Sequence, residues 1–258
     1  MNVLMVTLGR TLAHYLNQPV RGYEPFAISN PSALAAVLQP GDVLLVEGNR
    51  RISTAIKYLT QSTWSHAALY VGDFRRSGLG LDAPVLIEAD VEQGVIAVPL
   101  TKYAALNTRI CRPVGLQGQD TEHVVNYMIS RLGHAYDLRN VIDLARYLLP
   151  VPPIPVRWRR RMLALGGGDP TRAICSTLIA QAFQSVRYPI LPRIERSSAE
   201  REYAAREILN IRHFSLFTPR DFDISPYFRV IKPTVENGFD YRELAWAEAD
   251  TVPDNADS

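Results

Sequence analysis

Three residues supply a nucleophile, a base and a carboxylate, each in a setting that suits the chemistry. Cys175 stands in Ala173-Ile174-Cys175-Ser176-Thr177-Leu178, at the expected head of an apolar helix. A helix N-terminus carries unpaired N–H groups and a partial positive charge; these favour a thiolate and can donate to an oxyanion. Taken alone, a cysteine is ordinarily a small buried hydrophobe. His66 lies in Trp64-Ser65-His66-Ala67-Ala68-Leu69-Tyr70-Val71-Gly72, where strand alternation sets His66, Ala68 and Tyr70 on one face. The alanine neighbour leaves room for a second side chain to approach. Glu88 ends the apolar run Val85-Leu86-Ile87-Glu88, where a carboxylate needs a donor, and an imidazole N–H on a neighbouring strand is a natural one. Each has an ordinary structural explanation alone, as core histidine or edge-strand charge. Together they fill the three roles of nucleophilic catalysis.

These residues need elements to position them. Pro31–Leu38 reads as a short helix with proline in its first turn, and Pro40-Gly41-Asp42 as a turn. Val43–Val46 reads as a buried strand, and Arg50–Gln61 as a helix with Ile52, Ile56 and Leu59 on one face. Four further strands are expected at Ser65–Val71, Val85–Ala89, Gly94–Val98 and Thr108–Val114. A helix capped by Asp120 or Thr121 runs to Leu132 and stops at Gly133; another covers Val141–Leu149 and ends at Pro150. Leu178, Ile179, Ala182 and Phe183 mark a buried helix from about Cys175. Ser197-Ser198-Ala199-Glu200 has the capping-box pattern of a helix reaching about Leu209, and Phe228–Ile231 reads as a last strand. The order implies an α+β domain, an antiparallel sheet packed against helices.

Pro40-Gly41-Asp42-Val43-Leu44, the His66 strand, Ile87-Glu88-Ala89, Tyr136-Asp137 and Ile174-Cys175-Ser176-Thr177-Leu178 occur in one order. That order resembles the circularly permuted branch of the NlpC-type papain-like cysteine hydrolases, the YiiX/YebB-like group, in which the histidine strand precedes the cysteine. The resemblance spans about residues 40–231. It implies a permuted papain-like fold with Cys175 as nucleophile, His66 as general base and Glu88 orienting the histidine. Tyr136, Ser176, Trp64 and Tyr70 are expected to line the substrate site. The group's likeness to lecithin:retinol acyltransferase leaves peptide amides and lipid acyl groups both open as substrates, and acyl transfer open beside hydrolysis. A non-catalytic lipid- or peptide-binding module is the alternative.

The stretch at about 138–170 is longer than the family's compact form and reads as an insertion beside the nucleophile. It holds Leu148-Leu149-Pro150-Val151 and the basic run Arg157-Trp158-Arg159-Arg160-Arg161. The run reads first as a solvated edge. Its alternative is contact with an anionic lipid surface, each basic residue contributing about 1 kcal/mol; this insertion favours a lipid or apolar substrate slightly. Residues 1–39 read as a helical extension. Residues 236–258 carry seven acids against Arg242 alone, so 232–258 reads as a solvated, disordered tail.

Composition narrows the classes. The 258 residues suit one large domain, and 28 basic against 26 acidic side chains leave a net charge of +2, no basis for nucleic-acid binding. The three lysines, Lys57, Lys102 and Lys232, stand out against a majority of arginines without pointing to a function. Two cysteines cannot build a four-cysteine zinc site, and the histidines lack ligand-like spacing, so no metal or other cofactor is expected. Cys111 alternates as a strand residue, and a Cys111–Cys175 disulfide is not expected in a cytoplasmic chain. Gly166-Gly167-Gly168 lacks the context of a phosphate loop and reads as a linker. No signal peptide or run of about 18 apolar residues is seen, so a cytoplasmic location is expected.

Overall fold

A computed structural model describes residue 15 and residues 18–20, 22–25, 30–73, 84–90, 93–134, 174–196, 207–210 and 212–243. Most of the expected helical extension before residue 30, the helix expected over 141–149, Tyr136, the basic run and the glycine triplet lie outside the described residues.

The described chain runs α1 (Pro31–Val37), β1 (Val43–Val46), α2 (Arg51–Thr60), β2 (His66–Asp73), β3 (Pro84–Asp90) and β4 (Gly94–Pro99). A 3-10 turn (Leu100–Tyr103) leads to β5 (Thr108–Pro113), α3 (Gly118–Ser130) and α4 (Ile174–Ser185). Then come β6 (Arg193–Arg196), β7 (Glu207–Asn210), a 3-10 turn (Phe214–Leu216), α5 (Pro219–Asp223), β8 (Phe228–Ile231) and α6 (Pro233–Glu236). The main sheet has the order β4-β3-β2-β1-β5-β8 with every pairing antiparallel, so the architecture is α+β as expected.

Val43-Leu44-Leu45-Val46 is apolar throughout because β1 is a central strand covered on both faces, and all four side chains are buried. Alternation along the strands then divides the core. Val43, Leu45, Ala67, Leu69, Val71 and Ile87 join α3 and α4 in one cluster. Leu44, Val46, Ala68, Tyr70 and Leu86 join Leu34 of α1, Leu100 and Tyr103 in the other. Behind α4, Phe183 meets Phe228 and Tyr188 at ring-centroid distances of 5.3 and 5.5 Å, the spacing at which aromatic rings attract one another beyond their simple burial. Asp42 clamps the entry to the sheet: it accepts from Arg112 of β5 at 2.9 and 2.7 Å and from the Gln39 backbone at 2.8 Å.

Two expectations need correction. Residues 207–209 are not the end of a helix but part of β7, which pairs with β6, setting Leu209 against Ile194 and Ile208 against Glu195. A capping box reports only the local chain, whereas a two-stranded pairing is decided by a distant partner. The segment after residue 232 is not featureless either: α6 begins at Pro233, and a 3-10 turn covers Tyr241–Glu243. Proline at the first position of α6 presets the helical φ without losing a hydrogen bond.

Candidate active site

The site sits at one end of the sheet. His66 is the first residue of β2 and pairs with Val46, the last of β1. On the other side, Leu69 pairs with Ile87, and continuing that register one step sets Ala68 opposite Glu88. His66 and Glu88 are therefore diagonal neighbours on one sheet face, within reach of long side chains. Their side chains meet with His66 Nε2 3.1 Å from Glu88 Oε2. Ala68 has no long side chain to stand between them.

Cys175 comes from the first turn of α4, where backbone N–H groups lack partners within the helix. Ser176 anchors that turn by donating from Oγ to the Phe217 carbonyl at 2.7 Å. Cys175 is near enough to His66 to act on the imidazole, favouring its protonated form. With Nε2 given to Glu88, Nδ1 is the ring nitrogen left for the sulfur. Thiol and carboxylate both act on the one imidazole.

The electrostatics follow. Burial alone would lower the basicity of His66, and the 23% of its side chain still in solvent softens that penalty. The charges of Cys175 and then Glu88, with their hydrogen bonds, outweigh it and raise the imidazole from 6.5 to about 10. Glu88 is 1% exposed, and burial pushes its carboxyl up; the cations His66 and Lys102 overcome this and hold it at about 2. An ionised carboxylate this deep needs donors, and it has three.

Two of those donors are not anticipated by the sequence reading. The Lys102 ammonium donates to Glu88 Oε1 and the Tyr103 hydroxyl to Glu88 Oε2, both from the turn after β4. Burial and then the Glu88 charge raise the Tyr103 hydroxyl well above its ordinary value, so it stays a neutral donor. The scarcity of lysine sets Lys102 apart no more than Lys57 and Lys232, and Tyr103 reads like any apolar residue after a strand.

Of the expected lining residues, Trp64, Tyr70 and Ser176 have their described contacts within the framework. The Trp64 indole donates to Asp223 at 3.0 Å, and the Arg109 guanidinium lies 4.9 Å from its ring centre. Tyr70 is buried in the second core cluster, four residues and roughly 13 Å along β2 from His66 at the usual strand rise. Cys111 in β5 is a free, buried thiol, and Cys175 at the head of α4 is likewise free and buried. Burial pushes the Cys111 thiol well up.

The profile of the permuted papain-like amidase family, YaeF/YiiX, C92, matches residues 37–147. That span is under half of the chain and marks a likeness to the permuted papain-like YaeF/YiiX group. A cysteine-hydrolase type of activity goes with that group. The match takes in His66 and Glu88 and stops short of Cys175. Among solved structures, the chain is similar to the metalloprotein YiiX from Escherichia coli O157:H7, with 16% identity and a TM-score of 0.45, covering 75% of this chain and 96% of that one. No curated protein matches the chain. Among the described residues, no three His, Cys, Asp or Glu side chains are grouped so that they could hold a metal ion, and none of their helices is long and apolar enough to cross a membrane.

Proposed function

We propose that the chain is a thiol-dependent amidase in which Cys175 is the nucleophile, His66 the base and acid, and Glu88 the residue that holds the imidazole. The observation that supports this reading is one imidazole 3.1 Å from a buried carboxylate and under the influence of a helix-head thiol. His66 takes the Cys175 proton, and the sulfur attacks the amide carbonyl. The carbonyl π pair moves onto oxygen, and the resulting oxyanion is held by the backbone N–H groups at the start of α4. The imidazolium then gives its proton to the leaving nitrogen as the C–N bond breaks, so an amine departs and a thioester remains on Cys175. His66 next takes a proton from water, which attacks the thioester. Collapse of that intermediate breaks the C–S bond, the sulfur recovers its proton, and a carboxylic acid leaves.

Glu88 keeps Nε2–H pointed at itself and Nδ1 at the sulfur, the tautomer the cycle requires. The family match favours an amide over a lipid ester. Acyl transfer would differ only in replacing water with another acceptor. The paired thiol and imidazole favour an enzyme over a silent binding module, which has no use for that pairing.

The test is the pH dependence of iodoacetamide alkylation at Cys175, with buried Cys111 as the internal comparison. An activated pair labels Cys175 well below the free-thiol value of about 8.5, while Cys111 stays unlabelled until the protein unfolds. His66→Ala abolishes the low-pH limb. A Cys175 profile indifferent to His66 would overturn the reading. On an amide panel, Cys175→Ala abolishes turnover, His66→Ala lowers it about 10²- to 10⁴-fold, and Glu88→Gln impairs it less.

A further inference from the structure

Glu88 accepts from more donors than are needed to orient one imidazole. Its Oε2 meets both His66 and the Tyr103 hydroxyl, while Oε1 is met by the Lys102 ammonium. Tyr103 adds a hydrogen bond without adding charge. Lys102 does two further things. It is the donor on the second oxygen, so it stops the carboxylate plane from turning away from His66. Its positive charge also competes with the imidazolium for the negative charge of Glu88.

The Lys102 side chain is 31% exposed, with its tip on Glu88 and its ammonium 5.5 Å from the centre of the Tyr103 ring. A lysine so placed contributes little to the core. Its described polar contact is the carboxylate that holds the base.

We propose that Lys102 is a positioning residue for the cysteine–histidine pair, fixing the plane of the Glu88 carboxylate and limiting how strongly that carboxylate stabilises the His66 imidazolium. The proposal rests on the reading of Cys175 and His66 as nucleophile and base. The groups that act on this centre are His66 from β2, Lys102 and Tyr103 from the turn after β4, Cys175 from α4, which acts on both His66 and Tyr103, and Asp90 from β3, which acts on Tyr103. Removing a cation from such a cluster raises the pKa of every acid in it, because each loses a neighbour that favoured its deprotonated form.

The experiment uses the full chain and iodoacetamide as the probe, with the alkylation rate of Cys175 followed by mass spectrometry across pH. Lys102→Met shifts both limbs of the profile to higher pH, by about one unit for loss of a neighbouring charge, and Lys102→Arg restores the wild-type midpoints. Lys102→Gln, a second neutral variant, gives the same upward shift and serves if Lys102→Met folds poorly. A purely structural lysine would change the amount of folded protein and leave the midpoints where they are. Superimposable wild-type and Lys102→Met profiles, each with a low-pH limb, overturn this proposal and leave the amidase reading standing. A wild-type profile with no low-pH limb removes the reading and this proposal together.

Discussion

Glu88 Oε2 lies 3.1 Å from His66 Nε2 across two strands whose nearest pairs, Leu69 with Ile87 and Tyr70 with Leu86, are buried, and the carboxylate is closed off from solvent by the same core that surrounds it. Such an arrangement stabilises only while both partners carry their charges. Neutralising one leaves the other buried with an incomplete set of partners, and loss of one partner of a buried pair ordinarily costs about 3–5 kcal/mol. The carboxylate that organises the site therefore also ties the site to the stability of the fold.

The acid side of the stability profile reads this directly. Glu88 is held at about 2 in the folded chain against an ordinary 4.5. A depressed carboxyl contributes stability that is fully present above pH 4.5 and drains away as pH falls toward 2. Urea midpoints measured from pH 6 down to pH 2 should fall in the wild type, and fall less steeply in Glu88→Gln, which has no proton to take up there. Parallel acid slopes would mean that Glu88 is not the depressed group.

Much of this site is legible in the amino-acid sequence, because strand alternation is a strong signal where one side chain is out of character with its neighbours. His66 beside alanines and Glu88 in a run of Val, Leu and Ile both meet that condition, and both lie on the strands expected for them. Register is not legible in the same way. Whether Glu88 falls beside His66 depends on how β2 pairs with β3, a property of two segments and the irregularity between Tyr70 and Gly72. Lys102 and Tyr103 escape notice for the same reason, since nothing local marks a short turn after β4 as the wall behind a carboxylate. Residues 207–209 read as helix because a cap pattern is local, while the strand pairing that overrides it exists only in the folded chain.

A second prediction concerns which charge holds the proton on His66. Burial works against the imidazolium, and Cys175 is the largest influence raising it, ahead of Glu88. Replacing the sulfur by a hydroxyl removes an ionisable neighbour and keeps a group of similar size. In Cys175→Ser, the ring-nitrogen titration of His66 followed by ¹⁵N NMR should move to a midpoint below the wild type's value of about 10. An unchanged midpoint would assign the proton to Glu88 alone and detach the thiol from the base.

The last prediction comes from the backbone that supports the histidine. Gly48, just beyond β1, donates from its N–H to Ser65 Oγ at 2.9 Å, and Ser65 is the residue before His66. A Cβ placed on Gly48 would collide first with Ser53 Oγ and would stand 2.9 Å from Ser65 Oγ and 3.0 Å from Ser53 Cβ, so methyl, serine and the start of α2 cannot all keep their places. Overpacking of this kind costs about 1–3 kcal/mol. Ser53 and Ser65 are both buried, so the displacement is shared between the first turn of α2, which meets the methyl most closely, and the strand end carrying His66. Gly48→Ala should therefore lower the urea midpoint and slow Cys175 alkylation together. Ser53→Gly in the same chain should recover part of both losses by clearing the space the methyl needs. Recovery of stability without recovery of alkylation would show that the strain does not reach His66.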